Sequence, residues 1–293
     1  MMDPERGKGP WPATNGEAEV WRWLVGRLAA GLGEREAASA AGWLLHALTG
    51  EERGARWARG HSYRESELER LALQADRVVG GEPVQYVVGE VPFDGLVLGV
   101  DARVLIPRPE TEELVVGAAA RAGNPRTVLD IGTGSGCIAL ALKRRFPGAD
   151  VEGWDASPEA CACARENAAR LGYDVAFRVQ DLHAAGRPDR PWDLVVSNPP
   201  YIPAGEAAEL EGRVRDHEPG SALFVPDGDP LRHYRAIVEW AIGGGLAEGG
   251  GVAFECHRAF VDEVAALFPT GMRVETASDL SGQPRFVYGW SAG

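Results

Sequence analysis

The stretch VLDIGTGSGC, residues 128–137, has the pattern of a strand end, a glycine-rich turn and the start of a helix. Gly132, Gly134 and Gly136 let the backbone turn tightly and let a bound molecule approach main-chain atoms that a Cβ atom would block. In open α/β sheets, ligands bind just beyond the carboxyl end of such a strand. We therefore expect a ligand here, although a tight turn without a ligand could carry the same glycines. The expected ligand contacts are Asp130, Gly132, Thr133, Gly134, Ser135 and Gly136.

The glycine spacing and the neighbouring acidic residues restrict the kind of ligand. G-x-G-x-G differs from the G-x-G-x-x-G of dinucleotide folds, and Asp130 suits a cationic amino-acid group better than a phosphate. Asp155 ends the next predicted strand, where a carboxylate can accept the hydroxyl protons of a ribose. Asp181 ends the third predicted strand and could accept a proton from an adenine amino group, while Leu182 could cover the ring. Either acid alone could be a solvated strand end. Together they indicate a nucleoside with a cationic tail and no phosphate, which is S-adenosylmethionine.

A fourth apolar strand leads directly into SNPPYIP, residues 197–203. Pro199 and Pro200 fix φ and remove two N–H donors, so carbonyl groups point out of a rigid turn. The Asn198 side-chain oxygen and the Pro199 carbonyl could hold the two N–H groups of a planar amide or amino group, and Tyr201 could stack on its plane. A structural turn with a packed tyrosine is the alternative. We predict a catalytic role for Asn198, Pro199 and Tyr201, with Asn198 also bordering the cofactor.

The rest of the chain predicts an α/β fold with additional N-terminal elements. From residue 109 to 293, short apolar runs alternate with helical segments, which indicates a mostly parallel sheet with helices on both faces and one antiparallel edge. Residues 17–80 have helical spacing and predict a bundle with tryptophans, among them Trp57, as core anchors. Residues 81–108, including VQYVV, have a period of two and predict a β-hairpin linker around Asp94-Gly95. Residues 1–16 are polar and are expected to be mobile.

The composition of the 293-residue chain excludes several classes of protein. Its 43 acidic and 30 basic residues give a net charge of −13, which repels a phosphate backbone and disfavours a nucleic-acid partner. Four irregularly spaced cysteines predict no disulfide framework, and no His or Cys spacing predicts a metal site. No stretch reaches the roughly 18 apolar residues of a membrane span, and the N-terminus lacks the apolar core of an export signal. We expect a cytoplasmic protein without a membrane partner.

From about Gly81 to Gly289 the sequence resembles the class I S-adenosylmethionine methyltransferases that carry an Asn-Pro-Pro-Tyr motif. Within them it is most similar to the protein-(glutamine-N5) methyltransferases that modify peptide chain release factors. The segments that carry the resemblance are GEPVQYVVG, VLIPRPETEELV (104–115), DIGTGSGCIALALK (130–143), SNPPYIP (197–203) and HEPGSALFVPDGDPLRHYR (217–235). IPRPETE is the most discriminating of these segments, because adenine-N6 methyltransferases share the Asn-Pro-Pro-Tyr motif.

The resemblance implies a Rossmann-like, seven-stranded sheet, an N-terminal helical domain that recognises the protein substrate, and methylation of a glutamine side-chain amide in a release factor. It implies that the acceptor contacts Asn198, Pro199, Pro200, Tyr201, Arg108 and Glu110. Two segments depart from the family. Glu255 is followed by Cys256-His257-Arg258 instead of Ile-Gly and a Gln, and His217-Glu218-Pro219 replaces Tyr-Glu-Pro. A small-molecule amide or amine therefore stays open as the acceptor, and an adenine in nucleic acid or a non-catalytic module that binds S-adenosylmethionine are the remaining alternatives.

Overall fold

The computed structural model describes residues 11–291. They divide into two compact units, one with residues up to 90 and 211–217, the other with 91–210 and 218 onwards. The first unit is helical, and its short helix over Gly212–His217 is joined to residue 36 by an ion pair between Arg213 and Glu36. Its other helices are α1 (Glu17–Leu32), α2 (Glu34–Thr49), α3 (Arg53–Ala58), α4 (Glu65–Val79) and α5 (Val84–Val88).

The core of the helical unit follows the apolar spacing of the sequence. Val20, Leu24 and Leu28 recur at every fourth position of α1, so they share one face of the helix, and all three are fully buried. They belong to the same core cluster as Leu44 of α2 and Leu71 of α4. The tryptophan expectation is wrong for Trp57, whose surface is 69% exposed. Helix α3 turns its indole outward because the six-residue helix buries Arg56 instead.

The sequence predicts that residues 1–16 are mobile, and the two parts of this segment have to be considered separately. Residues 1–10 lie outside the described residues. Residues 11–16, however, are attached to the helical unit, which corrects the expectation for this part. The Tyr63 amide donates to the Asn15 carbonyl at 2.8 Å, and the Trp11 ring stacks on Trp23 with 6.0 Å between centroids. Aromatic stacking and a backbone bridge at Gly16 therefore order this segment.

The predicted hairpin is present but shorter than expected. Its strands are β1 (Glu90–Phe93) and β2 (Leu96–Gly99), joined at Asp94-Gly95 with positive φ angles of 46° and 74°. These angles match the two-residue turns that follow the twist of a hairpin. VQYVV is not a strand, which corrects that prediction. It forms α5 because Pro83 precedes its first turn and Gly89, at a φ of 85°, ends it.

The second unit contains a seven-stranded sheet of the predicted α/β class. The spatial order is β10-β11-β9-β6-β3-β4-β5, and every neighbouring pair is parallel except the two pairs that include β11. The strands are β3 (Thr127–Ile131), β4 (Asp150–Asp155), β5 (Ala176–Val179), β6 (Trp192–Ser197), β9 (Leu246–Glu255), β10 (Arg273–Ser278) and β11 (Pro284–Trp290). A separate two-residue parallel pair is formed by β7 (Ile202–Pro203) and β8 (Phe224–Val225).

The antiparallel edge that the sequence predicts is present, and the last two strands, β10 and β11, form it. β11 lies between β9 and the edge strand β10. Phe286, Val287 and Tyr288 are consecutive and all buried, so both faces of β11 are covered, which suits an interior strand. The residues of β10 are exposed or half-buried, as an edge strand requires.

Helices connect the strands on both faces of the sheet. They are α6 (Pro109–Ala122), α7 (Cys137–Arg145), α8 (Pro158–Leu171), α10 (Gly220–Leu223), α11 (Arg232–Trp240) and α12 (Val261–Ala265). The number α9 is given to the helix over Gly212–His217, which belongs to the helical unit. The hairpin packs on α8, where the Asn167 side-chain oxygen accepts from the Gly99 amide at 2.6 Å.

The register of the sheet determines where chemistry can be placed. Ile131, the last residue of β3, pairs with Trp154 of β4 on one side and with Ser197 of β6 on the other. The residues that follow, Gly132, Asp155 and Asn198, therefore leave the sheet at the same level and at the same edge. Residues 11–291 contain no helix that is long and apolar enough to cross a membrane.

Candidate active site

A cavity of about 430 Å³ lies at this carboxyl edge of the sheet. Its walls come from the turns after β3, β4, β5 and β6, together with residues 103–105, residues 219–222, and His233 and Ile237 of α11. The residues predicted from the sequence that line it are Gly132, Gly134, Asp155, Asp181, Leu182, Asn198, Pro199 and Pro200. The other predicted site residues do not line the cavity.

The glycine loop, residues 132–136, faces the cavity with bare backbone. Gly132 and Gly134 have φ angles of 75° and 54°, and no atom lies within 4 Å of the position where a Cβ would stand. Their lack of a side chain therefore leaves open space for a ligand. Gly136 serves a different purpose. A Cβ there would lie 3.0 Å from Phe177 and 3.2 Å from Ala164, so this glycine allows α7 to begin close to its neighbours.

Asp130, which precedes the glycine loop, and Thr133 and Ser135, which belong to it, are buried. Thr133 and Ser135 were expected to contact the ligand, but they support the loop instead. The Thr133 hydroxyl donates to Asp130 Oδ2 at 2.6 Å, and the Ser135 carbonyl accepts from Asn167 at 2.9 Å. The expected ligand contacts are thus limited to the outward-facing part of the loop.

Asp130 has an unusual environment for a carboxylate. Its Oδ2 accepts from Thr133 and from the Ala139 amide at 3.2 Å, whereas its buried Oδ1 has no hydrogen-bond partner among residues 11–291. Burial raises the pKa of Asp130 to about 7. A carboxylate oxygen without a partner under an open loop favours a positive group above it, because a buried charge is stabilised by an opposite charge.

Asp155 joins the end of β4 to the glycine loop. Its Oδ2 accepts from the Gly134 amide and its Oδ1 from the Ser157 amide, both at 2.9 Å. Each carboxylate oxygen can accept a second hydrogen bond, so Asp155 retains capacity for the hydroxyl groups of a ribose. Burial raises the pKa of Asp155.

Asp181 lies two residues beyond the end of β5, where it begins the 3₁₀ turn Leu182–Ala184 and accepts from the His183 amide at 2.9 Å. Leu182 packs against the main core from the same turn. The open glycine cradle, the oxygen of Asp130 that lacks a partner and the remaining capacity of Asp155 fit a nucleoside with a cationic tail and no phosphate. These residues therefore fit S-adenosylmethionine.

The structure adds cavity residues that the sequence analysis missed. His183 and His233 line it, and their ring nitrogens lie 3.0 Å apart although 50 residues separate them. Burial and then the nearby His183 lower the pKa of His233 to about 4. Arg103 also lines the cavity and pairs with Asp101 and Glu166. No spacing in the sequence identifies these partners.

Tyr201 does not face the cavity, which corrects the expectation that it stacks on the acceptor. Its ring packs against the main core, and its hydroxyl donates to Glu255 Oε1 at 3.2 Å. Burial, reinforced by Glu255, raises the pKa of Tyr201. Tyr201 therefore supports the Asn198-Pro199-Pro200 turn from the side of the core.

Arg108 and Glu110, both expected on the acceptor side, flank the start of α6 and do not line the cavity. Arg108 donates to the buried carboxylate of Glu218, which also accepts from the Ile106 amide at 3.1 Å. Glu110 lies in the first turn of α6. Arg108 thus anchors the segment before α6.

A hydrogen-bonded network connects Asn198 to α6 and to the end of β9, the strand next to β6 in the sheet. Asn198 Nδ2 lies 3.1 Å from Thr111 Oγ1, and the Thr111 hydroxyl donates to Glu255 Oε2 at 2.7 Å. Thr111 and Glu255 are both buried, and burial raises the pKa of Glu255. We call Asn198, Thr111, Glu255 and Tyr201 the Glu255 network. Sequence analysis gave no indication of the roles of Thr111 and Glu255.

Within residues 11–291 no group of three His, Cys, Asp or Glu side chains is placed to hold a metal ion. The four cysteines are free thiols.

Comparison with known proteins agrees with this geometry. Residues 112–211 match the model of the methyltransferase small domain. The release factor glutamine methyltransferase of Bacteroides thetaiotaomicron is 41% identical over 228 residues, which cover 76% of this chain and 80% of the relative. The protein of the same name from Geobacter sulfurreducens is 38% identical over 283 residues, which cover 92% and 97%.

Among solved structures, a methyltransferase from Pyrococcus furiosus has the same fold, with a TM-score of 0.52 and 18% identity over 68% of this chain and 90% of its own. The chain therefore belongs to the family of release factor glutamine methyltransferases and is an S-adenosylmethionine-dependent methyltransferase with the class I fold.

Proposed function

We propose that this protein transfers a methyl group from S-adenosylmethionine to the side-chain amide nitrogen of a glutamine in a peptide chain release factor. The observation that carries the proposal is the position of Asn198-Pro199-Pro200. These residues line the same cavity as Gly132, Gly134 and Asp155 and leave the sheet at the same level. The names of the relatives supply the class of acceptor.

S-adenosylmethionine supplies an electrophilic methyl group on a sulfonium sulfur. Gly132 and Gly134 offer the space for its amino-acid part, and the Asp130 carboxylate beneath them favours its ammonium group. Asp155 accepts hydrogen bonds from the ribose hydroxyls, and Asp181 with Leu182 borders the base.

The acceptor amide is a poor nucleophile because its nitrogen lone pair is delocalised into the carbonyl group. Asn198 Oδ1 and the Pro199 carbonyl accept its two N–H bonds, which fixes the plane of the amide and stabilises the positive charge that develops on nitrogen. Alignment at a short distance contributes much of the remaining acceleration. No side chain has to remove a proton beforehand, since the methylated nitrogen is strongly acidic and loses its proton to water.

We assign recognition of the rest of the protein acceptor to the helical unit. Trp57 supports this assignment because a 69% exposed indole is available for contact with another protein. Trp57→Ala should therefore raise the KM for the release factor and leave the KM for S-adenosylmethionine unchanged.

We also place the enzyme in the cytoplasm, where translation takes place. Its free thiols suit that reducing compartment.

The function is tested by incubating the protein with methyl-labelled S-adenosylmethionine and, in parallel, purified release factors, nucleic acid and a metabolite extract. The proposal predicts label in the release factor fraction. Nucleic acid is disfavoured by the net charge of −13. Label found only in the metabolite or nucleic-acid fraction would contradict the proposal and identify the acceptor class that replaces it.

A further inference from the structure

The two ends of the Asn198 carboxamide have opposite chemistry, so its orientation decides what the cavity can bind. The oxygen end accepts hydrogen bonds, whereas the nitrogen end only donates them. A half-turn of the amide would present N–H groups to an acceptor that itself presents N–H groups. The proposed function therefore requires a group that fixes the orientation of Asn198.

Thr111 can supply this control because a hydroxyl group has one proton. Thr111 Oγ1 lies 2.7 Å from Glu255 Oε2 and 3.1 Å from Asn198 Nδ2. An ionised carboxylate only accepts, so the Thr111 proton goes to Glu255. Thr111 can then only accept from Asn198, and the amide must turn its nitrogen toward Thr111 and its oxygen away from it.

Burial prevents other hydrogen-bond partners from changing this pattern of donors and acceptors. Thr111 and Glu255 are 2% and 1% exposed, so water does not provide substitute partners. Glu255 Oε1 accepts from the Tyr201 hydroxyl at 3.2 Å, which keeps that oxygen in the accepting role as well. The Asn198, Thr111 and Glu255 side chains thus form a one-way sequence of hydrogen bonds.

From this geometry we propose that Thr111 and Glu255 are positioning residues, which hold Asn198 with Oδ1 toward the acceptor amide. Neither residue lines the cavity, and both act through Asn198. The inference rests on the proposed function for its consequence in catalysis, but the orientation of Asn198 is a property of the free protein. The two can therefore be tested separately.

The kinetic test compares Thr111→Val, which has nearly the same shape but no hydroxyl, with Thr111→Ser, which keeps the hydroxyl. Thr111→Val should lower kcat about 10- to 100-fold, in the range of a misplaced reacting group, with the KM for S-adenosylmethionine unchanged. Thr111→Ser should keep kcat within about threefold of the original, since it restores the hydrogen bonds. A Thr111→Val protein with full kcat, or a Thr111→Ser protein as slow as Thr111→Val, would overturn the proposal.

A pH profile tests the role of Glu255 at saturating S-adenosylmethionine. Protonation would make Glu255 a donor and release the Thr111 proton for Asn198 Oδ1, so kcat should fall on the acidic side. Burial raises the pKa of Glu255, and Glu110 adds to this, whereas Arg285, Thr111 and Tyr201 oppose it. Glu255→Gln, which carries its own donor, should be slow at every pH. A Glu255→Gln protein with the original profile would contradict the assignment.

A measurement without any acceptor keeps the inference independent of the proposed function. The chain has four asparagines, so labelling with nitrogen-15 asparagine gives four side-chain amide groups, each with one pair of proton signals, that can be assigned by mutation. Nuclear Overhauser contacts should connect the Asn198 amide protons to Thr111. Their absence in the folded protein would overturn the orientation. If these contacts are present but no release factor is methylated, the proposed function fails while the orientation stands.

Discussion

The strand ends of β3 and β6 are neighbours in the sheet, yet they present different chemistry to the cavity. After β3 the chain exposes backbone at Gly132 and Gly134, with open space where side chains would stand. After β6 it exposes the side chain of Asn198, held by Thr111 at 3.1 Å and followed by two prolines. In the proposed function, the part of the cavity that we assign to the cofactor depends on open space and carboxylates, and the part that we assign to the acceptor depends on one oriented carboxamide. We call these parts the cofactor half and the acceptor half.

Because of this difference, we expect that mutations can separate binding of S-adenosylmethionine from transfer of the methyl group. Changes in the cofactor half should act mainly on the dissociation constant of S-adenosylmethionine. Changes in the acceptor half should act mainly on kcat, because they alter groups that stabilise the charge that develops on the acceptor nitrogen.

The largest effect is expected for Asn198→Ala. Removal of a preorganised polar group that faces developing charge costs about 10²- to 10³-fold in kcat. Binding of S-adenosylmethionine should survive, although more weakly, because Asn198 also borders that region. Transfer of labelled methyl and calorimetric titration measure the two quantities.

Asn124 offers a matched control for this variant. It is an exposed asparagine that, like Asn198, precedes a proline, and it does not line the cavity. Asn124→Ala should leave both transfer and binding unchanged. Full turnover by Asn198→Ala would end the mechanism proposed here.

Asp155→Ala should have the next largest effect, and it should act on binding. Loss of hydrogen bonds to a charged group corresponds to about 10- to 100-fold weaker binding of S-adenosylmethionine. Asp181→Ala should cost less because Asp181 is exposed, where water competes for the same hydrogen bond. Titration of both variants checks this order. A loss of kcat at saturating cofactor without a change in binding would contradict the division into two halves.

Gly132→Ala separates the role of open space from that of backbone conformation. Gly132 and Gly172 have φ angles of 75° and 71°, and neither has an atom within 4 Å of an added Cβ, but only Gly132 lines the cavity. Both alanine variants should lose about 1 kcal/mol of unfolding free energy from a left-handed backbone. Only Gly132→Ala should weaken binding of S-adenosylmethionine, and equal affinities for the two variants would argue against a cradle at Gly132.

The smallest effect is a pH dependence of cofactor binding that comes from Asp130. Because burial raises the pKa of Asp130 to about 7, the free protein is largely protonated there below that pH. A cationic tail binds the ionised form, so affinity should rise with pH by at most about tenfold per unit and level off above about pH 7. Asp130→Asn should flatten this rise, whereas Asp174→Asn, on an exposed carboxylate outside the cavity, should preserve it.

The same titration predicts the sign of a stability effect. Burial raises the pKa of Asp130 in the folded protein from its ordinary value of 3.8 to about 7, so the unfolded chain releases this proton at a lower pH than the folded protein does. The contribution of Asp130 to the free energy of unfolding is therefore fully present at low pH and is lost as pH rises toward about 7. Chemical denaturation across this range measures it, and an unchanged slope in Asp130→Asn would show that another group is responsible.

The sequence could predict features that depend on local pattern. The end of β3 at a glycine turn, the Asp94-Gly95 turn and Asp155 at the end of β4 follow from residue types at fixed spacings. VQYVV shows the limit of that reasoning, because its alternation fits a strand but Pro83 and Gly89 favour one helical turn. Short apolar runs do not distinguish the two structures.

Contacts between distant residues could not be predicted from the sequence. The Thr111–Glu255 hydrogen bond spans 144 residues and the His183–His233 pair spans 50, and no local spacing encodes either. A sequence motif also does not tell which of its side chains are buried and which face the cavity. Thr133 and Tyr201 belong to the two motifs that identified the site, but packing turns both side chains away from the cavity.

The claim that an oriented Asn198 presents a glutamine amide for methylation is tested most directly by locating the methyl group on a release factor. Tandem mass spectrometry after incubation with S-adenosylmethionine should find one added methyl group on the side-chain nitrogen of a glutamine, and this product should form about 10²- to 10³-fold more slowly when Asn198→Ala replaces the original protein. A methyl group on another atom, or the same glutamine methylated to the same extent by Asn198→Ala, would contradict the account.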